Sequence, residues 1–157
     1  MQSRRVAAVQ RIQAQTGIDE TVISTVVHEF YRSVRADPLL GPVFKARIED
    51  WDAHLGRMCE FWSSVALMSG RYHGQPMVKH MPLPIDAAHF DRWLALFEAT
   101  AQRVCSSAAA DHFIVRARQI AESLELGVAS HSGVLLAKGA RFRRGGAVAD
   151  APSIADA

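Results

Sequence analysis

An all-α fold is what this sequence predicts, and three observations carry it. Apolar residues recur at three- and four-residue spacing over several long stretches. Aspartates stand where helix N-caps belong, and prolines and glycines gather between the stretches. No segment alternates as a half-buried strand would, and no internal repeat is present.

Residues 1–16 are polar and weakly helical in pattern, an extension of a turn or two. From Asp19, a capping residue, Val22, Ile23, Val26, Val27, Phe30, Tyr31 and Val34 fall on one helical face. The segment from Asp37 to Phe44 holds Pro38, Gly41 and Pro42 and reads as a turn region that stops the helix. Asp50 caps a second long helix with a stripe of Trp51, Leu55, Met58, Phe61, Trp62 and Val65; Ser69 and Gly70 end it. Pro76 suits a first helical position, since its φ is helix-ready and its missing N–H would have no partner there. His80 follows one turn later, and Pro82 and Pro84 forbid continuation. Asp86 caps a third helix that turns Phe90, Trp93, Leu94, Phe97, Ala101 and Val104 inward. A fourth starts near Asp111, buries Phe113, Ile114, Ala117, Ile120, Ala121 and Leu124, and stops at Gly127. After residue 132 the chain is rich in Gly, Ala, Arg and Asp without period, which predicts disorder. The expected organisation is an extension over 1–16, one domain over 17–131 and a disordered tail over 132–157.

Composition narrows the class. A chain of 157 residues is one domain, able to bury roughly 65–70% of its unfolded surface. The formal charge of +2 gives no electrostatic case for nucleic acid, and the basic cluster of Lys138, Arg141, Arg143 and Arg144 reads as a solvated tail. Cys59 and Cys105 have no metal spacing and read as buried reduced thiols. Arg4 and Arg5 precede a stretch broken by Gln10, Arg11, Gln13 and Gln15, too polar for an export signal. No window reaches the roughly 18 apolar residues of a membrane span. The expectation is a cytoplasmic protein, away from membranes and monomeric.

Four polar aromatic groups stand on inward faces: Tyr31, His54, His80 and Trp93. Singly, each is more often a packing residue than a site, because a buried polar ring needs only one partner to be satisfied. Together they put four such groups on four elements that share one core. A di-metal carboxylate bundle would need paired Glu-x-x-His motifs, and zinc would need clustered ligands; neither pattern occurs. Gly-x-Ser-x-Gly and Gly-rich phosphate loops are also absent. A haem asks for one protein ligand, a wide apolar pocket and a few polar groups opposite it, and this set can supply that. By spacing alone either His54 or His80 could be the ligand.

The ordered combination Phe30-Tyr31-x-x-Val34-Arg35, Gly41-Pro42-Val43-Phe44, Trp51-x-x-His54, Phe61-Trp62, Tyr72-x-Gly74-x-Pro76-x-x-x-His80 and His89-Phe90-x-x-Trp93-Leu94 resembles the truncated haemoglobins, specifically group III. The likeness spans roughly residues 19 to 126. It implies a shortened globin fold in which two antiparallel helix pairs sandwich haem b. It further implies that His80 is the proximal iron ligand and that Tyr31, His54 and Trp93 surround the bound ligand. Phe44 would wedge against the haem, Met58 would face the ligand, and Arg57 would reach a propionate.

The function expected on that resemblance is binding of O2, NO, CO or peroxide, with redox chemistry or detoxification rather than oxygen transport. NO dioxygenation and peroxidase-like turnover are the candidate activities, fed by an electron donor. The alternative is a gas-storing or gas-sensing module without turnover.

Overall fold

The computed structural model describes residues 2–144, and among them every regular element is a helix. Asp19 accepts from the Val22 N–H at 2.9 Å and opens α2, Glu20–Ala36, which buries Ile23, Val26, Val27, Phe30, Tyr31 and Val34. That stripe is the one the spacing predicts. Ahead of it lies α1, Gln2–Thr16. It is a full helix rather than a weak extension, because Ala8 and Ile12 are buried and Thr16 Oγ1 donates to the Ile12 carbonyl. Gly17, at φ +75°, ends it where a side chain would be strained.

The expected turn after α2 contains a helix instead: α3, Leu40–Arg47. Its Pro42 falls in the first turn, where no intrahelical N–H is required. Gly41 is there because a Cβ would lie 2.9 Å from the Arg35 carbonyl oxygen. Asp37 joins the two helices. Its buried carboxylate accepts from the N–H groups of Leu39 and Leu40 and from Arg92 Nε of α6.

Asp50 caps α4, Trp51–Leu67, accepting from Ala53 N–H, and the helix ends at Met68 in the left-handed region, two residues before the expected glycine. The short α5, Pro76–His80, has Pro76 at its start as predicted. Asp86 opens α6, Ala87–Val104, with a capping box in which His89 Nδ1 accepts from the Asp86 N–H. A two-residue link leads to α7, Ser107–His131, which begins before the expected Asp111 and runs through Gly127. Ser106 caps it, and its alanine-rich first turn carries no stripe that the periodicity could register.

Two helix pairs, α2 with α4 and α6 with α7, are laid on one another through α2–α6 and α4–α7 packing. Trp62 stacks on Phe97 at 4.8 Å and Trp93 stacks on the same ring at 5.6 Å, with Phe30 and Phe113 edge-on to Phe97. This aromatic block ties the two pairs together. Cys59 and Cys105 are both unpaired and half-buried. His112 Nε2 bonds the Ala66 carbonyl at 2.8 Å and joins α7 to the end of α4.

The chain beyond residue 132 departs from expectation as far as it is described. Residues 132–144 fold back as a strap along α6 and α7, and Phe142 is buried with Ile85, Phe90, Ala121, Val128 and Ala129. Arg141 and Arg144 are bonded to this body rather than solvated. The strap has no period to read because one aromatic and two arginines hold it. The remainder of the expected tail lies outside the described residues.

Burial alone would raise the Asp37 carboxyl, but hydrogen bonds from Leu40, Arg92 and Leu39 outweigh it and hold the group below the ordinary carboxylate range. A carboxyl depressed in this way contributes stability above its unfolded pKa and loses it as pH falls through the folded one. Asp37→Asn is therefore expected to cost roughly 1–3 kcal/mol at neutral pH. Chemical denaturation across pH checks this: the gap to the parent should close as the solution is acidified below the carboxylate range.

Candidate functional site

The site begins with the geometry of one imidazole. Pro76 starts the α5 turn, and its carbonyl lies 2.6 Å from His80 Nδ1. A carbonyl oxygen can only accept, so Nδ1 carries the proton and Nε2 keeps its lone pair. Burial pushes the His80 pKa down, the Pro76 bond works against that, and the neighbouring Lys79 charge adds to the depression. The outcome is a neutral imidazole in a defined tautomer, the form in which histidine ligates a metal. Behind it α5 rests on α7 at Gly127, where a Cβ would meet Met77 Sδ at 2.0 Å.

Across from α5, residues of α2, α3 and α4 build an aromatic wall. The His54 ring lies 5.1 Å from Tyr31, 5.6 Å from Trp51 and 6.5 Å from Phe44, near-perpendicular to the first two. Arg35 lies over the outer ring, 4.3 Å from the Trp51 centroid, a cation–π contact. Tyr31 is buried, and that burial pushes its phenol far up, so it stays a proton donor throughout the working range. His54 is pushed down to about 4, chiefly by burial and then by Arg57, His80 and Lys79. Its Nε2 is buried without a hydrogen-bond partner among the described residues. An orphan of that kind costs roughly 1–3 kcal/mol, which folding alone gives no reason to retain.

Between these walls lies a cavity of about 600 Å³, within the range of small-molecule sites. It brings together all seven residues that the sequence singles out: Tyr31, Phe44, His54, Arg57, Met58, His80 and Trp93. Phe61, Trp62, Leu83, Phe90, Ile120 and Leu124 add apolar lining. Several of these read as plain core in the sequence, since a stripe that faces a cavity has the same period as one that faces a helix. Arg47 and Lys79 also border the cavity, both exposed, and were not foreseen. Arg47 lies between the stretch read as a turn and the Asp50 cap, and Lys79 flanks His80 with no pattern to mark it.

The chemistry of this set fits a haem. It offers one neutral imidazole with a free Nε2, an apolar slot, an unpartnered Nε2 and a phenol opposite, and the cations Arg47, Arg57 and Lys79 for two carboxylate arms. Among the described residues no group of three or more His, Cys, Asp or Glu side chains is gathered as for a bare metal ion.

Comparison with known proteins agrees. The model of the family described as "Bacterial-like globin" matches residues 12–125. The "Group 3 truncated hemoglobin ctb" of Campylobacter jejuni is 34% identical over 113 residues, covering 69% of this chain and 89% of the relative. The crystal structure of a group III truncated hemoglobin from Campylobacter jejuni superposes with a TM-score of 0.65 at 34% identity, with the same shares of each chain. Gly127 and the strap lie beyond the residues matched by the family model.

The orphaned imidazole makes a prediction for the protein without cofactor. With a folded pKa of about 4 against 6.5 unfolded, His54 binds its proton more readily in the unfolded chain. Stability is then lost as pH falls below 6.5 toward 4. His54→Leu should raise the unfolding midpoint of the haem-free protein and flatten that acid loss; thermal melts from pH 7.5 to 4.5 check it.

Proposed function

This chain belongs to the bacterial-like globin family, and from that premise we propose that it holds haem b on His80 and binds O2 and other diatomic ligands in the pocket of Tyr31, His54 and Trp93. The redox conversion of oxygen, NO or peroxide is its task, rather than oxygen transport. One observation carries the reading: His80 is fixed with Nδ1 as donor, while His54 Nε2 is left buried without a partner on the other side of the same cavity.

A haem held there would supply an iron able to bind O2, CO or NO and to exchange electrons. Everything else is done by the chain. The Pro76 carbonyl orients the His80 ring and keeps its Nδ1 proton in place, which raises the basicity of Nε2. Arg47, Arg57 and Lys79, which border the cavity, would pair with the carboxylate arms. Phe44, Met58 and Phe61 exclude water from the slot. Burial keeps Tyr31 a phenol, so its hydroxyl would be a donor to a ligand in the cavity. Trp93 Nε1 can only donate. His54 is neutral at pH 7, so its Nε2–H or lone pair is available to either class of ligand.

Toward an O2 that gains partial negative charge in the cavity, each donor would contribute roughly 1.5–3 kcal/mol, slowing release about ten- to a hundredfold. Two such donors retain a ligand and polarise its O–O bond; they do not suit rapid unloading. That argument favours turnover over carriage.

Two measurements test the proposal. Optical spectra of the ferric, ferrous and ferrous-CO forms should show a strong Soret band in the parent and an altered or missing ferrous-CO band in His80→Ala. A parent without a Soret band after haem addition ends the haem reading. Tyr31→Phe should release O2 about ten- to a hundredfold faster in stopped-flow and react more slowly with NO or peroxide. Unchanged kinetics in both would remove turnover as the pocket's purpose and favour storage or sensing.

A further inference from the structure

Between His80 and α6 the chain crosses only Met81 to Asp86, and Leu83 and Ile85 of this loop line the cavity. Pro82 and Pro84 deprive it of two N–H donors, and within it the Ile85 N–H reaches the Leu83 carbonyl at 2.9 Å. The strap provides further donors. Arg144 Nε donates to the Ile85 carbonyl at 2.9 Å, and its terminal nitrogen donates to the Leu83 carbonyl at 3.0 Å. The Arg144 backbone N–H reaches Asp86 Oδ2 at 3.0 Å, and Ala87 N–H donates to the Phe142 carbonyl at 2.7 Å. The loop is in turn bonded to the histidine itself, because Leu83 N–H donates to the His80 carbonyl at 3.0 Å.

The other end of the strap is anchored in the helices. The buried Glu125 of α7 accepts from the Phe142 N–H at 2.8 Å and from Arg141 Nε at 3.1 Å. Arg141 also reaches Asp91 of α6 at 2.7 Å. Phe142 packs beneath with Ile85 and Phe90, and the Arg144 guanidinium lies 5.0 Å from its ring centroid. A segment that merely covered apolar surface would need Phe142 alone. The guanidinium that spans two carbonyls of one loop is a more specific arrangement, and guanidinium geometry suits such a fork.

We propose that Arg144 is a positioning residue for the iron ligand: by fixing the Leu83 and Ile85 carbonyls it holds the loop that carries His80. It thereby sets how long haem is retained and how His80 bears on the iron. The inference rests on His80 holding haem, and it belongs to a part of this chain beyond the residues matched by the globin family model.

The test uses the full chain loaded with haem, in four forms: parent, Arg144→Ala, Arg144→Lys and Arg118→Ala. Arg118 makes an exposed ion pair with Glu98 away from the loop and serves as the control. Transfer of haem to excess apomyoglobin, the iron–histidine stretching band of the ferrous form by resonance Raman, and the thermal midpoint are measured on each. Arg144→Ala is expected to lose haem roughly tenfold faster with a shifted or broadened iron–histidine band. Arg144→Lys should recover part of both, since an ammonium can reach one carbonyl, and Arg118→Ala should match the parent. Haem retention and a band equal to the parent's in Arg144→Ala would overturn the proposal. So would faster loss that only tracks a lowered midpoint while the band stays still, which is the behaviour of a structural cover. A parent with no Soret band would sink the haem reading first and take this role with it, an outcome distinct from the other two.

Discussion

The bond from His80 Nδ1 to the Pro76 carbonyl is the constraint on which the rest of the site depends. It closes within a five-residue helix too short to be stable by itself. The turn persists because α7 backs it at Gly127 and because prolines restrict the chain before and after it. A longer helix would carry the histidine on a self-supporting rod. This protein instead delegates the aim of one side chain to its surroundings, so residues far along the chain acquire a say in how that side chain sits.

The opposite wall shows the cost of keeping a pocket ready. A 600 Å³ cavity removes packing from the middle of the molecule, and His54 Nε2 adds an unmet hydrogen bond. Both work against the haem-free fold. The aromatic block of Phe30, Trp62, Phe97 and Phe113 offsets them from below, because each of these rings is almost fully buried and pairs with Phe97 in a favoured geometry. Binding of a ligand that fills the slot would return stability by mass action.

Where local chemistry decided a boundary, the sequence showed it. Asp19, Asp50 and Asp86 cap the helices that spacing assigned to them, and Pro76 opens the His80 turn. The candidate site showed only in combination: polar rings that singly read as packing stand on four elements, the group III resemblance adds Phe44, Arg57 and Met58, and all seven line one cavity. Three features were not legible. Helix α3 hides behind prolines that are harmless in a first turn, and the start of α7 is alanine that matches any helical face. The strap is the third: its hold is made of bonds from Arg141 and Arg144 to partners 16 to 61 residues away, which no local period can report.

Those three omissions share a consequence for the site. Helix α3 brings Phe44 and Arg47 to the cavity, α7 brings Ile120 and Leu124, and the strap bonds the loop of Leu83 and Ile85. The chemistry-bearing groups were thus readable from the chain, whereas the pieces that hold them at their separation were not. A residue type is chosen for its reactive atoms and leaves a mark in sequence; a position is held by long-range contacts that many residue types can make. In this globin the division is sharpest at His80, whose identity, tautomer and short helix are written within five residues. Its placement, by contrast, draws on Gly127 and on Arg144 far downstream. The matched residues 12–125 thus include His80 and its turn, and leave out Gly127, which backs that turn, and Arg144, which bonds the loop after it.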